Sequence, residues 1–99
     1  MNRKFKDDMT DQLLRAVLTL RNEEEAYAFF EDACTINEIK AMAQRLEVAR
    51  MLRAGATYEE VAETTGASTA TISRVKRYLN YGADGYSLVL DRLQEGDDR

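Results

Sequence analysis

The chain has 99 residues, 44% of them hydrophobic, and a formal net charge of -4 at pH 7. This length fits a single domain over residues 1–99, and the composition excludes a disordered chain. Because there is no histidine and only one cysteine, Cys34, an internal disulfide and the common zinc and histidine-base sites are also excluded. We therefore predict neither an enzyme nor a metal site, and we expect Cys34 to be a small buried apolar residue.

Proline is absent and glycine occurs only five times, so few residues interrupt helices and the sequence favours an all-α fold. The first residues, MNRKFKDDMTDQ, are charged and lack the apolar run of a signal peptide. No stretch approaches the roughly 20 apolar residues of a membrane span. These features predict a cytoplasmic protein without a membrane partner.

The first predicted helix covers about residues 8–21 and carries an apolar stripe. Its apolar residues recur at three- and four-residue spacing: Met9, Leu13, Leu14, Val17 and Leu18. A domain of this size buries a limited share of its surface, so such a stripe calls for an apolar partner. We interpret this segment as a dimerisation helix.

Capping boxes mark the starts of the next two helices. Asn22 with Glu25 opens a short helix whose bulky residues are aromatic, and Thr35 with Glu38 opens a long third helix that ends at Gly55. The aromatic residues are expected in the core or a dimer interface: Tyr27, Phe29, Phe30 and, later in the chain, Tyr86.

Three further helices follow. Thr57 and Glu60 form a capping box for a helix over Tyr58 to Thr65. Gly66 ends that helix, and Ser68 is the predicted N-cap of the next one. Asp84 can cap a last helix, after which residues 94–99 are predicted to form a polar, frayed tail.

The fourth and fifth helices, over about residues 57–79, match a helix-turn-helix. Ala62 is small where the second helix crosses closely, and Gly66 can adopt the left-handed backbone of the turn. Ile72 and Val75 are predicted to anchor the second helix in the core, together with Val61.

This anchoring leaves the other face of the second helix for DNA, with Ser68 to Arg77 as the reading segment. Short side chains near the helix start suit base contacts in a major groove, which we assign to Thr69, Ala70 and Ser73. Contacts to phosphates are assigned to Lys76, Arg77 and Thr71. Residues 64–83 contain three cations and no carboxylate, so a local positive field opposes the acidic total. The alternative is an ordinary helical hairpin with a solvated polar face.

Two stretches resemble the Trp repressor superfamily, in its Trp-repressor-like branch. They are TINEIKAMAQRLEVARMLRAG and TGASTATISRVKRYLNYG, and the resemblance covers about residues 9–93. It implies a six-helix, intertwined homodimer whose N-terminal helices form a shared core and whose two reading heads protrude. Two identical heads would bind a palindromic DNA site, with centres roughly 34 Å apart.

The resemblance also implies a pocket for a corepressor. Arg45 and Arg74 match the two arginines that hold tryptophan in the Trp repressor, and such a pair suits an aromatic or amino-acid effector. The family's glycine and serine beside the ligand are replaced by Val75 and Tyr78. We expect these larger side chains to fill the pocket, so that no cofactor is required and tryptophan is not used.

The first helix of the motif departs from the family pattern as well. Basic and amide residues are replaced by Tyr58, Glu59 and Glu60, which predicts weaker phosphate contact from that helix.

The sequence thus predicts a homodimeric DNA-binding transcriptional repressor. Two alternatives stay open at this point: a structural or protein-interaction dimer that does not bind DNA, and a small-molecule-binding protein that uses Arg45 and Arg74.

Overall fold

The structure, a computed structural model, describes residues 3–97 apart from the side chain of Asp97. Within that range the chain is all-α, as predicted, and none of its helices is both long and apolar enough to cross a membrane. The six helices are α1 (Asp8–Val17), α2 (Glu23–Ala33), α3 (Ile36–Arg53), α4 (Tyr58–Thr65), α5 (Thr69–Tyr81) and α6 (Gly85–Asp97).

The chain forms two compact units, divided after Ile36. The single domain over residues 1–99 stays a prediction. We call them the N-terminal unit, up to Ile36, and the C-terminal unit, from Asn37. No proline or glycine-rich linker marks the division, which falls at the first residue of α3. Composition alone therefore gives no sign of it.

In the N-terminal unit, α1 ends at Val17, four residues before the predicted end. Asp7 caps its start, because the carboxylate accepts the Thr10 N–H at 2.7 Å, and this hydrogen bond lowers the pKa of Asp7. At the other end, the Thr19 hydroxyl and N–H both donate to the Ala16 carbonyl. These bonds replace the next helical turn. Residues 20–21 therefore form the connection to α2.

Asn22 caps α2 as predicted, and its side-chain oxygen accepts the Glu25 N–H at 2.8 Å. The Glu25 carboxylate accepts the N–H of Arg21, one residue before the partner that a capping box would give it. Phe29 and Phe30 meet edge to face, with their ring centroids 5.3 Å apart.

Neither α1 nor α2 contains a buried residue. Met9 is 81% exposed and Leu13 is 48% exposed. Cys34, predicted to be buried, is half-buried. Because Met9, Leu13 and Leu14 of α1 are largely open to solvent, it is the N-terminal unit that is predicted to need an apolar partner.

The core of the C-terminal unit draws on four helices and the turn between α4 and α5. Its buried residues are Val48, Ala49, Val61, Ala67, Ile72, Val75 and Leu90. The predicted anchors Ile72 and Val75 are each only 1% exposed, which confirms their place in the core.

The C-terminus of α3 is closed by a Schellman motif. The Gly55 N–H donates to the Leu52 carbonyl, and the Ala56 N–H donates to the Met51 carbonyl, both at 3.0 Å. Gly55 has a φ of 94°, so the predicted stop at this glycine is confirmed.

The prediction of a frayed tail over residues 94–99 is wrong for residues 94–97, which continue α6. Gln94 and Glu95 are good helix formers, and no proline removes a backbone donor. Residues 98–99 lie outside the described part of the chain. Asp84, the predicted cap of α6, has a φ of 64° and not the extended backbone of the other N-caps.

We expect Gly66→Ala to destabilise the protein by about 1 kcal/mol. Gly66 has a φ of 72°, where an L side chain is strained, although an added Cβ would meet no atom within 4 Å. Gly85→Ala is the matched control, because Gly85 is helical, lacks a positive φ and is equally open. Urea denaturation of both variants measures the difference. Equal stabilities would show that the turn tolerates a side chain.

Candidate nucleic-acid interface

The helix-turn-helix predicted over residues 57–79 consists of α4, a three-residue turn and α5, which runs two residues further. Thr57 accepts the Glu60 N–H at 3.2 Å, so the predicted cap of α4 is present. The Thr57 hydroxyl also donates to the Glu60 carboxylate at 3.1 Å. Gly66 ends α4 in the left-handed conformation, and its N–H donates to the Ala62 carbonyl.

The side chains of Thr65 and Gln44 stabilise the turn, and neither was predicted to do so. The Thr65 hydroxyl donates to the Val61 carbonyl at 2.7 Å and accepts the Ala67 N–H at 3.1 Å. The Gln44 side-chain amide donates to the Thr65 carbonyl at 3.1 Å, which connects α3 to the turn. Gln44 bonds to a residue 21 positions away, and the Thr65 hydroxyl bonds only to backbone groups. No short sequence motif therefore reveals either role.

The predicted base-contacting residues Thr69, Ala70 and Ser73 are all exposed, close to the start of α5. Ser68 and Thr71 have a different immediate role. The Ser68 hydroxyl accepts the Thr71 N–H and donates to the Thr71 hydroxyl, both at 3.1 Å. The Ser68 hydroxyl therefore caps α5 and is bonded to the hydroxyl of Thr71, which is half-buried.

The charged side chains of α5 are exposed to solvent. Arg74, Lys76 and Arg77 are exposed, and none has a carboxylate within 4.0 Å among residues 3–97. The Lys76 ammonium lies over the Tyr58 ring, 5.4 Å from its centroid. This leaves a positively charged face beside the exposed hydroxyls.

Two of the three arginines of α3, Arg50 and Arg53, differ from the arginines of α5. Arg50 binds the Glu47 carboxylate at 2.6 and 2.9 Å, and this hydrogen bond lowers the pKa of Glu47. Arg53 binds Asp91 and the Ser87 carbonyl of α6. Both guanidinium groups thus have intramolecular partners.

The predicted effector residues occupy different environments. Arg45 is half-buried and Arg74 is exposed, whereas Val75 belongs to the core. Tyr78, 55% exposed, lines an apolar pocket of about 460 Å³. The other lining residues are Leu46, Ala83, Gly85, Tyr86 and Val89. Neither arginine lines that pocket. Binding of an effector by Arg45 and Arg74 stays a prediction.

Across residues 8–94 the chain matches the family model of the Trp repressor protein. The chain belongs to the Trp repressor family. Members of this family are helix-turn-helix regulators, which agrees with the predicted class of protein. Among residues 3–97, no three metal-ligating side chains lie close enough together to hold an ion.

Relatives and solved structures agree with the Trp repressor assignment. The uncharacterised protein YerC of Bacillus subtilis (strain 168) is 60% identical over 92 residues, which cover 93% of this chain and 88% of YerC. A TrpR-like protein from Eubacterium eligens ATCC 27750 is 59% identical, with a TM-score of 0.89 and coverage of 94% of this chain and 96% of that protein. A Staphylococcus aureus protein provisionally named a Trp repressor is 52% identical, with a TM-score of 0.88 and coverage of 92% and 91%.

Proposed function

We propose that the protein is a cytoplasmic, homodimeric repressor that binds a palindromic DNA operator through α5. The observation that carries the proposal is the exposed face of α5, where three cations that have no carboxylate partner in the described part of the chain lie beside short hydroxyl side chains. Cations of this kind bind phosphates, and short side chains let the helix approach base edges. Membership of the Trp repressor family supports the same function.

The second part of the proposal is that two copies of the chain form a homodimer through the N-terminal unit. The N-terminal unit exposes the apolar residues of α1, and monomeric proteins rarely leave large apolar surfaces open. A second copy is the partner we propose, because a two-fold dimer presents two identical heads to a palindrome. The proposed intertwined arrangement of the two copies follows the family.

The direct test is selection of bound sequences from randomised duplex DNA by the purified protein, with and without added tryptophan. Enrichment of a palindrome in both arms supports a repressor that needs no tryptophan. Failure to enrich any sequence in either arm would favour the non-DNA-binding dimer. Micromolar tryptophan binding in calorimetry, lost in Arg45→Ala, would show that Val75 and Tyr78 leave the effector site open.

We expect Lys76→Ala and Arg77→Ala each to reduce the salt dependence of DNA binding by two phosphate contacts, one in each head of the proposed dimer. The slope of log K against log salt should become shallower by about 1.8 per substitution, about 0.9 for each lost contact, because fewer counterions are released. Arg50→Ala is the matched control, since Arg50 is already paired with Glu47. Titrations of duplex DNA at several salt concentrations give these slopes. A slope change in Arg50→Ala and none in the α5 variants would show that α3, and not α5, contacts the phosphates.

A further inference from the structure

Tyr58 is the first residue of α4, in the stretch Tyr58-Glu59-Glu60 that contains no cation. Its side chain is nevertheless linked to the charged face of α5. The Lys76 ammonium lies 5.4 Å from the centre of the Tyr58 ring, inside the range of about 6 Å in which a ring face attracts a cation. This contact joins the first helix of the motif to the second.

An aromatic ring restrains a lysine without neutralising it. A carboxylate in the same place would cancel the charge that a phosphate needs, but a ring only attracts the ammonium through its quadrupole. Lys76 has no such carboxylate among the described residues. Its flexible four-carbon side chain otherwise loses rotamer freedom when a ligand fixes it. Restraint before binding reduces that loss.

Tyr58 is itself held in place. It follows directly after the Thr57 cap, and its exposed fraction of 37% shows that part of the residue packs against the protein. With Lys76 it lines a cleft of about 710 Å³ that also includes Leu79 of α5. The ring is therefore a partly packed surface that the Lys76 side chain contacts.

We propose that Tyr58 is a positioning residue for DNA binding, which holds the Lys76 ammonium ready for a phosphate. This inference rests on the proposed DNA-binding function and deepens it. It gives α4 a role in affinity even though Tyr58, Glu59 and Glu60 carry no positive charge.

The test is a double-mutant cycle in duplex-DNA affinity, with Tyr58→Leu and Tyr58→Phe each made alone and combined with Lys76→Ala. Tyr58→Leu should weaken binding about two- to fivefold for each head of the proposed dimer, the usual value of an exposed cation–π contact. Tyr58→Phe retains the ring and should bind like the unmodified protein. In the Lys76→Ala background, Tyr58→Leu should have no further effect, because its partner is already absent.

Two results of the cycle would overturn the proposal. An equal loss from Tyr58→Leu in both backgrounds would show that Tyr58 acts independently of Lys76. Tighter binding by Tyr58→Leu would show that the ring withholds Lys76 from DNA. Circular dichroism of each variant confirms that the helices remain, so that a loss of affinity is not a loss of fold.

A measurement without DNA separates this inference from the function on which it rests. In NMR spectra of the free protein, the ring current of Tyr58 should shift the terminal methylene protons of Lys76, and Tyr58→Leu should remove that shift. Absence of the shift in a protein that binds DNA would reject the positioning role alone. A normal shift in a protein that binds no DNA would reject the proposed function, and the positioning role with it.

Discussion

Ile72→Ala is expected to lower the free energy of unfolding by about 2–5 kcal/mol, the range found when a large buried aliphatic side chain is truncated. Ile72 is 1% exposed and is among the largest fully buried side chains of the core. Truncation removes apolar contacts and leaves a cavity among residues from several helices. Because Ile72 anchors α5, the same change should loosen the helix that carries the proposed DNA-binding face.

Ser73→Ala is the matched control for this substitution. Ser73 is the next residue of α5 and is exposed, so its replacement should change stability by less than about 0.5 kcal/mol. Urea denaturation at one fixed protein concentration measures both variants, because the stability of a dimer depends on concentration. Similar midpoints for Ile72→Ala and Ser73→Ala would contradict the core described for the C-terminal unit.

Leu13→Glu is expected to weaken the proposed homodimer about a thousandfold or more. Leu13 is 48% exposed in the single chain, and in a dimer formed by α1 the new carboxylate would be buried without a partner. A cost of about 4 kcal/mol corresponds to a factor of about a thousand in the dissociation constant. Two-fold symmetry places the substitution in the interface twice, which increases the cost.

Gln12→Glu introduces the same carboxylate at the preceding, polar position of α1 and serves as the control. Sedimentation velocity over a range of concentrations should show a monomer for Leu13→Glu and a dimer for Gln12→Glu. If both variants remain dimeric, the apolar stripe of α1 is not the interface.

The positions of the helices were largely predictable because their signals are local. Asn22, Thr57 and Ser68 each accept a backbone N–H three residues later, as their places in the sequence indicate. Gly66 likewise has the positive φ that a left-handed turn demands. The ends of α1 and α6 were less predictable. Hydrogen bonds of the following turn end α1, whereas α6 continues through Gly96 to Asp97 although glycine is a common stop signal.

The exposed residues of the candidate site were predictable from the sequence, but the contacts that hold its helices and turn in place were not. The period of α5 separates buried Ile72 from exposed Ser73, so the sequence alone identifies the exposed side of α5 that is proposed to bind DNA. The bond from Gln44 to the turn and the contact of Lys76 with Tyr58 join residues that are 21 and 18 positions apart. No periodicity encodes such pairs, since they depend on how the helices pack.

The C-terminal unit keeps its seven buried residues separate from the exposed positions of α5 that are proposed to read DNA. Substitutions at Thr69, Ala70 and Ser73 therefore leave the packing of Ile72 and Val75 untouched, and surface changes of this kind usually cost little stability. A protein built in this way can acquire a new operator sequence through a few exposed substitutions while its scaffold is retained. If the proposed function is correct, relatives with the same core could bind different DNA sequences, and the same three positions are the natural choice for engineering a new specificity.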